Sequence, residues 1–190
     1  MTYYSVTEKD LQHMALYAFG QIDRFYLHWT AGTYTAVYPD YHLSILGNGE
    51  ILAPALDLTT RLAHTWQRNS RAVGIALCCA QDATPHHLGD FPPSLVQVEA
   101  LCRSTAILLD TLKLPVSFDT VRTHAEQADL DGYGPDTTCE RWDLWMLSDG
   151  GLPGSGGPLL RGKIRYYMQV LKQERHDHYL VNGIDSVNVL

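Results

Sequence analysis

The residues best equipped for chemistry in this 190-residue chain are two histidines and an aspartate, His28, His124 and Asp143, far apart in sequence. His28 lies in Phe25-Tyr26-Leu27-His28-Trp29-Thr30-Ala31-Gly32, where large apolar and aromatic residues give way to Thr-Ala-Gly. The front half has the composition of a buried strand and the back half that of a turn. A strand ending on a histidine puts an imidazole at the sheet rim, where functional groups concentrate. His124 follows a short extended segment, and Asp143 lies beyond a loop. Two imidazoles and one carboxylate suit Zn²⁺ and leave a fourth position for water, as in a hydrolytic site. No local HxxxH-type spacing joins them, so ordinary hydrogen-bonded roles fit the same residues.

The elements that must position these groups follow from patterning. Ser5-Val6-Thr7-Glu8 has the form of a capping box, and Leu11, Met14, Ala15 and Ala18 recur at helical spacing towards a stop at Gly20. Tyr41–Leu46 and Glu50–Ala53 read as strands around Gly47-Asn48-Gly49, a strong hairpin signal. Alternation along the first strand turns His42 away from Tyr41, which makes His42 structural. Val73–Cys79 is apolar without alternation, as in a central strand covered on both faces. Ser94-Leu95-Val96-Gln97 opens the longest helix, ended by Pro115, and Val116–Thr123 is extended. Glu126–Glu140 reads as a polar, Gly-containing stretch. Gly150–Pro158 is rich in Gly, Pro and Ser, so it reads as a linker between a domain of residues 1–149 and an extension of residues 159–190. That extension is expected to hold an amphipathic helix, followed by a hairpin of Tyr179–Val181 and Ile184–Val189 around Asn182-Gly183. Helices interleaved with strands, plus one hairpin, give an α/β fold with a central mixed sheet flanked by helices.

Composition narrows the function. A hydrophobic content of 45% excludes disorder, and a net charge of −7 without a basic cluster gives no footprint for nucleic acid. The longest apolar run, Ala72–Ala80, is too short to span a bilayer. Glu8, Lys9 and Asp10 stand where a Sec-type signal would need an apolar region, so synthesis in the cytoplasm is expected. Cys78, Cys79, Cys102 and Cys139 lack a CxxC spacing and read as free thiols.

Several blocks in order resemble the zinc-dependent N-acetylmuramoyl-L-alanine amidase family, which includes phage amidase endolysins and peptidoglycan-recognition proteins. The resemblance runs from about Arg24 to Leu147. Phe25–Gly32 resembles the first-ligand strand, and Tyr41-His42-Leu43-Ser44-Ile45 with Gly47-Asn48-Gly49 resembles the family hairpin. His64–Asn69 followed by Val73-Gly74-Ile75 resembles its "H…N…SIGI" segment. Val121-Arg122-Thr123-His124 and Arg141-Trp142-Asp143 resemble the second and third ligand sites.

By that resemblance the fold is peptidoglycan-recognition/amidase-like, and His28, His124 and Asp143 are zinc ligands. Cys139 is an alternative third ligand, since other members use cysteine there. Tyr41 matches a tyrosine beside the reacting water, and Arg141 a cation that stabilises the oxyanion. His64 and Asn69 match the pocket wall and are candidate substrate-binding residues. The implied activity is hydrolysis of the amide between N-acetylmuramic acid and L-alanine, at the bacterial wall after phage lysis or specialised secretion. The alternatives are a cytosolic muropeptide-recycling amidase and a recognition module that binds peptidoglycan without cutting it. The partner is peptidoglycan or a muropeptide, with any immunity or delivery partner left open. One departure is Ala76, where some relatives carry a glutamate base; that duty would then fall to Tyr41 or to hydroxide on the zinc.

Overall fold

The computed structural model describes residues 2–184, with side chains for 2–179. Six strands form one sheet: β1 (Tyr4–Ser5), β2 (Arg24–Trp29), β3 (Leu43–Ile45), β4 (Ile51–Ala53), β5 (Ala72–Leu77) and β6 (Val121–Thr123). Their order is β1-β4-β3-β5-β2-β6. Pairing is parallel for β3–β5, β5–β2 and β2–β6, and antiparallel for β3–β4 and β4–β1. The sheet is therefore mixed, as the alternation of patterns predicts. β5 is buried at every position, which explains its unalternating apolar sequence.

Four helices flank the sheet: α1 (Glu8–Tyr17), α2 (Leu95–Leu112), α3 (His124–Asp131) and α4 (Gly156–Ile184). α1 buries Leu11, Met14 and Ala15, but its capping box is Thr7 with Asp10, two residues beyond the expected one. Ser5 is taken up by β1, where it pairs with Leu52 of β4. α2 starts at Ser94, boxed with Gln97, and stops at Lys113 in the left-handed region (φ 60°) before Pro115.

Two regions differ from expectation. The polar stretch after His124 begins as α3 rather than loop. Its signal was present: Thr123 and Glu126 form a third capping box. α4 begins inside the expected linker, at Gly156, and continues through Tyr179–Val181 and Asn182-Gly183, so the first arm of the expected hairpin is helical. Apolar residues at helical spacing pack the helix into the core as far as Leu171, and residues 172–179 beyond it are exposed. The second arm beyond Ile184 lies outside the described residues. Leu160, Ile164 and Leu171 of α4 join the same core as α2 and the sheet.

Candidate metal centre

Strand register brings the two histidines together. β2 and β6 pair Phe25 with Val121, Tyr26 with Arg122 and Leu27 with Thr123, so His28 and His124 come next. At that point β6 ends and the chain turns into α3, with His124 as the first helical residue. The site thus stands at the carboxyl ends of parallel strands, where α/β sheets place ligands. Thr123 Oγ1 accepts from the Glu126 N–H (3.2 Å), and Glu126 Oε2 accepts from the Thr123 N–H (2.9 Å). Arg161 of α4 locks this cap by donating to both Glu126 oxygens (2.7 and 2.8 Å) and to the Val121 carbonyl (3.1 Å). Asp143 arrives from the far loop, its carbonyl accepting from the Ala125 N–H at 3.3 Å. Leu144 beside it is left-handed at φ 57°, a costly conformation that the buried surroundings impose.

Three donor atoms converge. His28 Nδ1 and His124 Nδ1 are 3.2 Å apart, and Asp143 Oδ2 lies 3.4 Å from the first and 3.3 Å from the second. All three residues are buried. Burial outweighs the pull of Asp143 and drives His28 down to about 4, so its imidazole is neutral at pH 7. Burial alone would raise the Asp143 carboxyl, but His124 and His28 more than offset it and hold it well below the usual range. Lone pairs facing one another at this distance repel unless a proton or cation sits among them. The triangle also has the right size: a tetrahedron of this edge has centre-to-corner distances of about 2.0 Å, matching Zn–N and Zn–O bonds of roughly 2.0–2.2 Å. The donor set therefore fits zinc in chemistry and in spacing.

The outer nitrogens are also engaged. Thr65 Oγ1 lies 3.3 Å from His28 Nε2 and 3.0 Å from His64 Nδ1, while the Tyr133 hydroxyl lies 3.5 Å from His124 Nε2. A hydroxyl that accepts from Nε2–H favours the tautomer in which the Nδ1 lone pair is a ligand atom. His64 in turn rests on Gly74, where any Cβ would approach its ring to 2.4 Å. His42 is structural, as alternation predicted: its Nδ1 accepts from the Gly74 N–H (3.0 Å), which makes Nε2 the donor to the Thr60 carbonyl (2.8 Å).

His124 and Asp143 line an open cleft of about 920 Å³ together with Tyr41, His64, Asn69 and Arg141, while His28 lies buried behind them. The Tyr41 ring packs 5.1 Å from His28, and its hydroxyl is 3.5 Å from the Trp29 carbonyl. Burial, then the charges of Asp143 and Asp40, push its phenol strongly upward, so it keeps its proton at neutral pH. Arg141 is exposed and donates to the Glu140 carbonyl at 2.7 Å. Asn69 Oδ1 accepts from the Thr65 N–H at 2.8 Å and so shapes the loop that carries Thr65. Cys139 stands outside the triad; its N–H is spent on the Gly134 carbonyl (2.8 Å). Cys78, Cys79 and Cys102 are buried free thiols, with Cys78 and Cys102 raised to about 12 by burial.

Sequence reasoning missed Thr65, Trp66 and Tyr133. Thr65 and Trp66 fall inside the quoted His64–Asn69 block, so proximity to His64 was their one available signal. Tyr133 had none, because its approach to His124 depends on the turn after α3, where its N–H bonds to the Ala128 carbonyl.

No protein-family model matches the chain, and no curated protein matches it. Among solved structures it is similar to two proteins of Clostridium intestinale URNW, the endolysine N-acetylmuramoyl-L-alanine amidase LysCS and the N-acetylmuramoyl-L-alanine amidase LysC. Each match has 17% identity and a TM-score of 0.41 over 58% of this chain, covering 72% of LysCS and 74% of LysC. Among the described residues no helix is long and apolar enough to cross a membrane.

Proposed function

We propose that the chain is a zinc-dependent amidase that hydrolyses the bond between the lactyl group of N-acetylmuramic acid and L-alanine in peptidoglycan. The observation that carries the reading is the buried triangle of His28 Nδ1, His124 Nδ1 and Asp143 Oδ2 beside an open cleft. The choice of bond rests on the ordered sequence blocks that resemble this amidase family. His28, His124 and Asp143 would hold the metal, which when bound polarises a carbonyl and lowers the pKa of a coordinated water to roughly 7.

The chain's own residues supply the rest. Tyr41 keeps its proton, so it serves as a hydrogen-bond donor that orients the reacting groups rather than as a base. Arg141 cannot release a proton, so its part is electrostatic: it offsets the negative charge that develops on the carbonyl oxygen. His64 and Asn69 form the wall against which the substrate lies, and they also hold Thr65 behind His28. Ala76, opposite His28 in β5, has no group to act as base.

Incubation with purified peptidoglycan tests the proposal. Free L-alanine amino termini should appear, disappear after chelation and return with added zinc. New reducing sugar ends without amino termini would place the cut in the glycan and refute it.

A further inference from the structure

We propose that Trp66 is a stacking platform for a pyranose ring of the glycan strand, a subsite beside the metal centre. The inference deepens the amidase reading and rests on it for the nature of the ligand. Of the large apolar side chains left exposed among the described residues, Trp66 is the one that lines the cleft, at 65% exposure. Single exposed apolar side chains are ordinary, so the weight rests on the place of this one, on the wall of the cleft that holds His124 and Asp143.

Its loop holds it still. The Arg68 N–H closes a turn on the Thr65 carbonyl (3.1 Å), and Gln67 within that turn is left-handed at φ 56°. The Arg68 guanidinium grips both oxygens of Asp131 at the end of α3. Tyr133 meets the indole at 84° with ring centres 6.4 Å apart. Two anchors hold the loop that carries Trp66 and Tyr133 meets one edge of its ring, so less of the segment has to be ordered on binding.

The neighbourhood suits a sugar. Gln67 and Glu140 border the same cleft, so polar side chains able to meet hydroxyl groups stand near an apolar face. A pyranose offers that combination, with C–H bonds on its faces and hydroxyls on its perimeter. Tyr133 spans the gap to the triad, its ring centre 6.1 Å from that of His124. Trp66 thus reaches the metal ligands through one intervening ring, with Tyr133 between the indole and His124.

The test uses the zinc-loaded chain with its indole N–H groups labelled for NMR. A peptide-free GlcNAc–MurNAc disaccharide should shift the Trp66 indole signal, whereas the sugar-free stem peptide should not. Trp66→Ala should weaken binding of the disaccharide-peptide about tenfold, and Trp66→Phe should retain most of it. Zinc content should be unchanged in both. A Trp66 response to the peptide alone, no response to either probe, or equal affinity in Trp66→Ala would overturn the subsite. Cleavage by wild type without a Trp66 response removes the subsite and leaves the amidase. A Trp66 response to the disaccharide without cleavage does the reverse.

Discussion

His28 Nδ1 and His124 Nδ1 stand 3.2 Å apart although 96 residues separate them in sequence. Parallel pairing of β2 with β6 makes this happen: the register that matches Leu27 to Thr123 makes His28 and His124 the next pair. Each imidazole then needs its outer nitrogen fixed, and Thr65 and Tyr133 are placed to do so.

Thr65 is accordingly expected to matter to metal affinity without being a ligand. Thr65→Val keeps the shape and removes the hydroxyl from His28 Nε2. Zinc affinity, measured by competition with a chelator, should fall about 10- to 100-fold, the usual effect of losing such a partner. Thr65→Ser should stay close to wild type. Unchanged affinity in Thr65→Val would show that packing alone orients His28.

α4 is expected to support the site through a buried ion pair. Arg161 and Glu126 are both nearly enclosed, and Glu126 caps the helix that His124 begins. Arg161→Leu strands that carboxylate and should cost about 3–5 kcal/mol in urea unfolding. Adding Glu126→Gln should recover part of the loss. A cost below about 1 kcal/mol would mean that water reaches the pair.

Acid should weaken the metal-free protein through its histidines. Burial lowers His28 to about 4 and His64 to about 2, and it lowers His42 as well. Between these values and the unfolded value near 6.5, the unfolded chain binds protons that the folded chain refuses. Stability is therefore whole above about pH 6.5 and falls as pH drops below it, by about 1.4 kcal/mol per pH unit for each such histidine. Asp143 adds a later loss as pH falls from its unfolded value near 4, since its folded carboxyl is held lower. A urea midpoint that stays flat from pH 7 to 5 in the metal-free protein would contradict this account.

Much of the fold was legible because its signals are local. The unalternating run of β5, the Asn48-Gly49 turn and the helix over Leu95–Leu112 each stand in a short window. α3 was missed although Thr123-His124-Ala125-Glu126 spells a capping box, because glycine and charge further along outweighed it. The Asn182-Gly183 signal misled in the other direction: the backbone stays helical there, although among the described residues the core packing of α4 ends at Leu171. At the site, residue types and the resemblance named the triad, with Asp143 preferred to Cys139 because Arg141 stands two positions before it, and the same three residues are the ones that converge in space. The contacts of Thr65 with His28 and of Trp66 with Tyr133 join residues that no short window contains, whereas Tyr133 and His124 stand nine residues apart.

The most direct test of the central claim measures bound zinc and amino-terminus release together, for wild type, His124→Ala, Asp143→Ala and Cys139→Ala. About one zinc per chain with release in wild type and Cys139→Ala, and loss of both in His124→Ala and Asp143→Ala, is the predicted result. Zinc and release that survive Asp143→Ala but vanish in Cys139→Ala would contradict the assigned triad. Absence of both from the wild type would contradict the amidase itself.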